Sequence, residues 1–253
     1  MRWTRGVDAG RFDPAKRDPS GYPGEIRVLY AGRLTAEKGL DLLADAFLQA
    51  CRRDGRVHLL LAGGGPEEEA LKSKLGKHAT FLGWLDGEEL ARAYASADLF
   101  LFCSRTDTFG QVILEAQASG LPVVAVDAGG PSSLIRDRHT GRLCPPEAAA
   151  LADAVLELAG SPSLRDRLAR HALNAVRARS WESALAELAA GYARALGPAE
   201  ALTVEGGDPG SAPRAHSRRR SAEPRENALS TPTARTTRSC RPPIGARPVR
   251  RCH

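Results

Sequence analysis

Short apolar runs alternate with amphipathic stretches along most of the chain. Each run is rich in Val, Leu, Ile or Phe, and glycine, proline or polar residues bound it. Runs of this kind are typical of strands that are buried on both faces of a sheet. The pattern predicts six strands, over residues 26–31, 57–62, 80–82, 99–103, 123–126 and 140–144.

Helical periods fill the gaps between these runs. From Leu40, apolar residues recur at positions 40, 43, 44, 47 and 51. Pro66 and the acids after it favour a helix start, as does Asp86 in the role of an N-cap. Further helices are predicted over 131–136, 147–159, 163–178 and 181–196. Strands that alternate with helices indicate an α/β fold with a doubly wound parallel, Rossmann-like sheet, which binds ligands at the carboxyl ends of its strands.

The two ends of the chain differ from this alternating body. Residues 1–24 are polar and rich in glycine and proline, so we interpret them as a linker. Residues 197–253 have no apolar period, and such a segment cannot bury enough apolar surface to offset its chain entropy. We therefore predict a disordered basic tail there and one compact domain over residues 25–196.

The net charge of +6 is confined to the tail, because residues 198–253 hold 11 arginines against 5 acidic residues. No basic face with interleaved aromatic residues favours a nucleic-acid partner, so none is expected. The five cysteines form no C-x-x-C pair, and the six histidines have no ligand spacing, so we expect no metal site. Cys51 and Cys103 fall in apolar patterns and are interpreted as small buried hydrophobes.

Cysteine usage of this kind is typical of a cytoplasmic protein. No apolar run is long enough to span a membrane, and no apolar core of a signal peptide follows the first residues. We expect a cytoplasmic location, either free or peripheral at the inner face of the membrane.

The segment from Ser104 to Asp127 carries the strongest chemical signal. A strand leads into a polar loop with Asp107, and a helix that opens at Phe109-Gly110 then carries Glu115. A helix N-terminus suits a phosphate group, and carboxylates accept hydrogen bonds from sugar hydroxyls. Phosphate and sugar hydroxyls together indicate a nucleotide sugar.

This segment resembles the Glu-x7-Glu signature of the group 1 retaining glycosyltransferases, which have the GT-B fold. Their usual form is S-x-x-E-x-F-G-x-x-x-L-E-A-x-A-x-G-x-P-V-V-A. The chain matches this form at Ser104, Phe109, Gly110, Leu114, Glu115, Ala116, Ala118, Gly120, Pro122, Val123, Val124 and Ala125. It departs at the first acid, where Asp107 replaces Glu. The D-T-F-G-Q form is similar to subfamilies that transfer mannose, usually from GDP-mannose.

A second motif lies in the loop after the first strand, where Gly32, Arg33 and Lys38 belong to G-R-L-x-x-E-K-G. Two cations at the carboxyl end of a strand suit a diphosphate, and a solvated Lys–Glu surface turn is the alternative. The family shares this form and uses its Arg and Lys to hold the donor diphosphate. Gly63-Gly64-Gly65 is interpreted as a tight turn, because its spacing differs from the dinucleotide fingerprint.

The resemblance also implies roles for the remaining site residues. The turn at Gly83 and Leu85 would contact the nucleotide base through its backbone, and Glu115 would accept the ribose hydroxyls. Asp107 would contact the transferred sugar, beside Phe109, Gly110 and Gln111. Catalysis would rest on Arg33 and Lys38, together with Asp107. Gly129-Gly130-Pro131 would let the backbone approach the same cleft.

The resemblance covers residues 5–196 and starts at the midpoint of the family. It begins at Arg5, Gly6, Val7, Asp8, Arg11 and Phe12, which match N/R-G-V-D-x-x-R-F. We therefore expect this chain to be the C-terminal, donor-binding half of a GT-B protein, without the N-terminal acceptor domain. The implied reaction transfers a hexosyl unit with retention, from GDP-mannose or a UDP-hexose to a lipid or glycan hydroxyl, with no cofactor. The alternative is a truncated donor-binding module without turnover.

The last predicted helix, capped by Ser180, has an apolar face formed by Trp181, Leu185, Leu188 and Tyr192. In the family the final helix commonly crosses onto the N-terminal domain. We expect part of this face to lack its partner in this chain, so a complementing N-terminal domain is an expected partner.

Overall fold

The computed structural model describes residues 5–196, and within that range all six predicted strands belong to one parallel sheet. The strands are β1 (Ile26–Ala31), β2 (Val57–Ala62), β3 (Ala79–Gly83), β4 (Leu99–Phe102), β5 (Val123–Val126) and β6 (Gly141–Cys144). Their order is β3-β2-β1-β4-β5-β6, and every pair is parallel. This doubly wound order confirms the predicted fold class. The predicted disordered tail lies outside the described residues.

Eight α-helices connect and follow the strands in this range. They are α1 (Leu40–Arg53), α2 (Glu68–Leu75), α3 (Gly87–Ser96), α4 (Gln111–Ala118), α5 (Pro131–Leu134), α6 (Ala148–Gly160), α7 (Pro162–Val176) and α8 (Trp181–Leu196). The predicted helices are confirmed to within a few residues at each end. Asp86 does occupy the N-cap position of α3, but its side chain makes no capping bond, and its carbonyl oxygen accepts from Glu89 and Leu90 instead.

The strands are apolar because both faces of the sheet are covered. Every residue of β4 and β5 is buried, and β1 and β2 each have one half-buried position. In α1 the predicted periodic positions Leu40, Leu43, Ala44, Phe47 and Cys51 are all buried. Helix α1 packs against α2 and α6, while α4 packs against α3 and α7. Cys51, Cys103 and Cys144 are buried free thiols, which confirms the interpretation of the first two.

The order of the strands reverses between β1 and β4, so the loops that follow these two strands leave the sheet side by side. Gly39 and Cys103 show how close the loops are. A Cβ on Gly39 would overlap the carbonyl oxygen of Cys103, and Gly39 also has a positive φ of 69°. Both constraints require glycine at this position.

The N-terminal segment, interpreted from its composition as a linker, lies against the domain from residue 5 onward. Val7 and Phe12 are buried in the same core as the sheet. The amide of Val7 donates to the carbonyl oxygen of Arg179 at 2.8 Å. Arg17 donates to the carbonyl oxygens of Ala95 and Ala97. The polar composition of residues 1–24 gave no indication of this packing, because Val7 and Phe12 are the only buried apolar residues in the described part of the segment.

The final helix, α8, leaves most of its apolar face in solvent. Trp181, Leu185 and Tyr192 are 37%, 56% and 61% exposed, whereas Ala184 is buried. The predicted cap is confirmed, because Ser180 Oγ accepts from the amide of Ser183 at 3.1 Å. None of the helices within residues 5–196 is long and apolar enough to cross a bilayer.

Asp98, just before β4, joins three parts of the fold. Its carboxylate accepts from the Arg17 guanidinium at 2.7 Å, and from the backbone amide and guanidinium of Arg27 at 2.8 and 3.1 Å. The Asp98 and Arg27 side chains are only 10% and 13% exposed. The carboxylate therefore neutralises a poorly solvated guanidinium and fixes the N-terminal segment to the sheet.

We expect Asp98→Ala to lower the free energy of unfolding by about 3 kcal/mol, because it leaves the charge of Arg27 buried and unpaired. Urea unfolding followed by circular dichroism measures this change. Asp153→Ala is the matched control, since Asp153 forms an exposed pair with Arg53 and its loss should cost less than about 0.5 kcal/mol. Equal effects of the two substitutions would contradict the assigned role of Asp98.

Candidate functional site

Three loops meet at the carboxyl edge of the sheet, around the reversal of strand order. The hydroxyls of Ser104 and Thr106 donate to the carbonyl oxygen of Glu37, at 3.3 and 3.1 Å, which joins the loops after β4 and β1. The amide of Gly130 donates to the carbonyl oxygen of Asp107 at 2.7 Å and adds the loop after β5. The predicted approach of Gly129-Gly130 to the cleft is thus present in the structure.

Lys38 and Asp107 form the centre of this edge. Lys38 Nζ lies 3.1 Å from Asp107 Oδ2, and the two side chains are 19% and 18% exposed. The other carboxylate oxygen, Oδ1, accepts from the amides of Gly110 and Phe109 at 2.6 and 3.2 Å. Asp107 therefore holds the start of α4 and faces a cation at the same time.

The position of Gly110 explains why glycine opens this helix. Gly110 is the N-cap of α4 with a φ of 63°, a left-handed conformation that glycine adopts at low cost. A Cβ at this position would also press on Leu134 of α5. The turn directs the N-terminus of α4 toward the loop that carries Lys38, so the helix dipole and the ammonium group act on the same space.

Burial and hydrogen bonding act in opposite directions on Asp107. Burial alone would raise the pKa of its carboxyl group. The Gly110 amide, the Lys38 ammonium group and the Phe109 amide outweigh burial, so the pKa lies below the ordinary value of 3.8. Asp107 is consequently an anion at neutral pH.

Glu115 lies one turn further along α4, in a more enclosed position. Its Oε2 accepts from the hydroxyl of Tyr94 at 3.0 Å. Burial raises the pKa of Glu115 to about 6, although hydrogen bonds from Tyr94 and Gln111 and the charge of Arg11 lower it. The two carboxylates that the sequence singles out therefore have opposite environments.

Gly32 and Arg33 occupy the start of the loop after β1. The amide of Gly32 donates to the carbonyl oxygen of Ala62 at 2.9 Å, which continues the sheet by one bond. The Arg33 side chain is 64% exposed and has a loose ion pair with Glu37 at 3.6 Å. Its backbone is fixed, because Tyr30 donates its hydroxyl to the Arg33 carbonyl oxygen. Arg33 thus has an anchored backbone and an extended side chain that is open to a ligand.

Gly83 and Leu85 lie at the far end of the same edge. Gly83 ends β3, and its carbonyl oxygen accepts from the amide of Gly63 at 2.7 Å. Leu85 is half-buried against the core, and Trp84 between them is 70% exposed. Because β3 is two strands away from β1, this turn lies apart from the Lys38–Asp107 pair, and no hydrogen bond within residues 5–196 joins the two.

The N-terminal segment contributes to the site in a way that sequence reasoning missed. The guanidinium of Arg5 lies over the ring of Phe109, 4.2 Å from its centroid. The carbonyl oxygen of Gly6 accepts from Gln111 Nε2 at 3.2 Å. The sequence held two signals for this segment, its match to N/R-G-V-D-x-x-R-F and the apolar pair Val7 and Phe12, but neither indicated these contacts.

Tyr94 is the second residue that the sequence did not reveal. Its ring lies on the buried face of α3 and is fully buried. The contact between its hydroxyl and Glu115 joins residues 21 positions apart. No local spacing rule indicates such a contact. Within residues 5–196, the structure contains no group of three or more His, Cys, Asp or Glu side chains that could hold a metal ion.

The sequence and the fold both have relatives among characterised proteins. The family model described as "Glycosyl transferases group 1" matches residues 25–161. Over 201 residues the chain is 40% identical to a GDP-mannose-dependent alpha-mannosyltransferase of Mycobacterium tuberculosis (strain CDC 1551 / Oshkosh), covering 76% of this chain and 50% of that protein. The chain therefore spans about half the length of the curated relatives it matches.

Two solved structures illustrate the similarity of fold. Sucrose-phosphate synthase from Thermosynechococcus elongatus has a TM-score of 0.68 and 30% identity, covering 76% of this chain and 51% of that one. The Anabaena protein HepE in complex with UDP has a TM-score of 0.66 and 25% identity, covering 75% and 56%.

Because the pKa of Glu115 is higher in the folded chain than its ordinary value of 4.5, ionisation of this residue opposes folding. The free energy of unfolding should rise as pH falls from about 6 toward 4.5, because in this range the folded chain binds the proton and the unfolded chain does not. We expect Glu115→Gln to raise the free energy of unfolding at pH 7 by about 2 kcal/mol and to flatten this part of the pH profile. Urea unfolding at pH 4.5, 6 and 7 checks both effects. Glu187→Gln on α8 is the control, and an unchanged profile in Glu115→Gln would contradict the assignment.

Proposed function

Because this chain belongs to the glycosyl transferases group 1 family, we propose that it is the donor-binding half of a retaining glycosyltransferase. The reaction would transfer a hexosyl unit from a nucleoside diphosphate sugar to an acceptor hydroxyl. The observation that carries this proposal is the Lys38–Asp107 pair at the N-terminus of α4, with Glu115 one turn behind it. The cation and the helix dipole suit the diphosphate of such a donor, and the two carboxylates suit the hydroxyls of its ribose and of its sugar.

The diphosphate would bind between Arg33 and Lys38. Arg33 has a planar, largely exposed guanidinium whose only ion-pair partner within residues 5–196 is the exposed Glu37. Lys38 is held in place by Asp107 and lies beside the helix N-terminus. In the reaction, both cations and the helix dipole would stabilise the charge that develops on the departing diphosphate.

The two carboxylates would bind different hydroxyl groups. Glu115, in its enclosed position, would accept hydrogen bonds from the ribose. Asp107 would release its contact with Lys38 to reach the transferred sugar, while its other oxygen keeps the start of α4 in place. Asp is one methylene shorter than the family's Glu. The two hydrogen bonds that Asp107 accepts from the amides of Phe109 and Gly110 fit this shorter side chain.

We propose GDP-mannose as the donor, with a UDP-hexose as the alternative. The mannosyltransferase relative supports the first, and the UDP complex of the Anabaena protein supports the second. The backbone at Gly83 and Leu85 would contact the base. We further propose that transfer needs neither a metal nor another cofactor, which an assay in the presence of EDTA tests. The acceptor would be a lipid or a glycan.

A donor-binding module without turnover is the second candidate. The cleft described here carries groups for the donor, and the chain spans about half the length of its relatives. Incubation of the chain with GDP-mannose, a lipid extract that supplies acceptor hydroxyls, and a separately expressed N-terminal half of the Mycobacterium relative distinguishes the two candidates. Mannose transfer in the mixture favours the enzyme, and donor binding without transfer favours the module.

The exposed face of α8 supports an N-terminal, acceptor-binding domain as a partner of this domain. Trp181, Leu185 and Tyr192 form an apolar surface that its own domain does not cover. Apolar surfaces of this kind are typical of sites where another protein surface packs. We propose that the acceptor-binding domain packs there and completes the cleft.

We expect the chain to bind a nucleoside diphosphate, and Arg33→Ala and Lys38→Ala each to weaken binding by about 1–3 kcal/mol through loss of a charged hydrogen bond. Isothermal titration calorimetry with GDP, UDP and ADP measures this. Arg52→Ala, at the exposed end of α1, removes the same charge away from the cleft and should have little effect. Folded protein that gives no heat with any of the three nucleotides would contradict the proposed site.

We also expect the isolated chain to self-associate through α8, because apolar surface without a partner favours association. Sedimentation over a concentration series should give a mass that rises with concentration, and Leu185→Glu should abolish this rise. Ala190→Glu places the same charge on the opposite side of the helix as a control. A monomer at every concentration would argue against an unpartnered face.

A further inference from the structure

We propose that Tyr94 is a positioning residue, whose buried hydroxyl holds one oxygen of Glu115 so that the other oxygen meets the vicinal hydroxyls of the donor ribose. The inference rests on the proposed function and identifies a residue that prepares its site. Tyr94 itself would not touch the ligand, because its side chain is fully buried.

The ring of Tyr94 is fixed by two aromatic neighbours. Phe12 meets it edge to face, with centroids 5.5 Å apart and an interplanar angle of 89°. Phe100 of β4 stacks on it at 5.5 Å and 28°. A ring held in this way cannot turn its hydroxyl away from Glu115, so the 3.0 Å contact with Oε2 has a fixed direction.

Packing alone does not explain why the residue at position 94 carries a hydroxyl group. The pocket between Phe12 and Phe100 is apolar, and a phenylalanine at position 94 would fill it equally well. The hydroxyl donates its hydrogen to Glu115, and within residues 5–196 it has no other acceptor. We conclude that the tyrosine is required by the carboxylate.

A fixed carboxylate binds a ribose better than a mobile one. A free glutamate side chain loses rotamer freedom when it binds a ligand, and this loss weakens binding. With Oε2 held by Tyr94, this loss has already occurred on folding. The lone pairs of Glu115 that Tyr94 and Gln111 leave unused can then accept from the two adjacent hydroxyls of a ribose.

The same contact keeps Glu115 ionised. Burial raises its pKa to about 6, and the groups that lower it are Tyr94 from α3, Gln111 from α4 and Arg11 from the N-terminal segment. Burial, then the charge and hydrogen bond of Glu115, and least of all Tyr30 raise the pKa of the Tyr94 phenol. Without the Tyr94 hydroxyl, the pKa of Glu115 moves closer to neutrality. A protonated carboxyl group accepts ribose hydroxyls less well, so binding should then fail at a higher pH.

The test compares ribose recognition in the full chain and two variants. Calorimetry measures the affinity of GDP, UDP and their 2′,3′-dideoxy forms for the wild type, Tyr94→Phe and Tyr192→Phe. We expect Tyr94→Phe to bind the ribose nucleotides roughly tenfold more weakly and the dideoxy forms as the wild type does. Tyr192→Phe makes the same chemical change on the exposed face of α8 and should leave all affinities unchanged.

Other results would overturn the proposal. An equal loss for ribose and dideoxy nucleotides in Tyr94→Phe would mean that the hydroxyl only supports the fold. A wild type that binds both kinds of nucleotide equally would refute ribose recognition, while nucleotide binding itself would stand. A wild type that binds none of them would refute the proposed function as well.

A second measurement needs no change at Tyr94. Carbon-13 NMR of the labelled Glu115 carboxyl group follows its titration with and without saturating GDP. We expect GDP to lower the pKa of Glu115, because ribose hydroxyls stabilise the ionised form. Tyr94→Phe should raise this pKa in the free chain and shift the loss of GDP affinity toward higher pH. A Glu115 titration that responds neither to GDP nor to the removal of the hydroxyl would end the proposal.

Discussion

The reversal of strand order between β1 and β4 brings two loops together that are about 70 residues apart in sequence. Because both strands run parallel, their carboxyl ends share one edge of the sheet, and the loops leave it side by side. Gly39 lets the loops touch, and the Lys38–Asp107 pair forms across the contact. The orientation of α4 and the positions of Lys38 and Glu115 all depend on this juxtaposition.

Two carboxylates on the same loop and helix have opposite electrostatic environments. Asp107 faces a cation and two backbone amides, so its pKa falls, whereas Glu115 is enclosed and its pKa rises. A helix N-terminus favours the anion nearest to it, and burial disfavours the one behind. Residues that share one motif in sequence therefore affect stability in opposite directions: the ionised form of Asp107 stabilises the fold, whereas ionisation of Glu115 opposes folding.

Much of the architecture could be predicted because its determinants are local. Apolar runs gave the strands, and the period of α1 gave its buried face. Residues such as Lys38, Asp107 and Glu115 stand out because motif spacing and strand ends place them at one edge. The orientation of the Asp86 side chain and the docking of residues 5–24 were missed, because both depend on tertiary contacts that composition does not indicate. The Tyr94 hydroxyl was missed for the same reason, since its partner lies on another helix.

The docking of the N-terminal segment also affects the order in which contacts form while the chain is being synthesised. Phe12 needs Tyr94 before it has a partner, and the amide of Val7 has no acceptor until Arg179 has been made. At ordinary rates of translation, roughly ten to thirty seconds separate the synthesis of the segment from that of its last anchor. Throughout that interval the contacts of Arg5 with Phe109 and of Gly6 with Gln111 lack the support of the neighbouring Val7–Arg179 bond. The first residues of the domain to be made are thus among the last to be secured, because their docking is complete only after Arg179 has been synthesised.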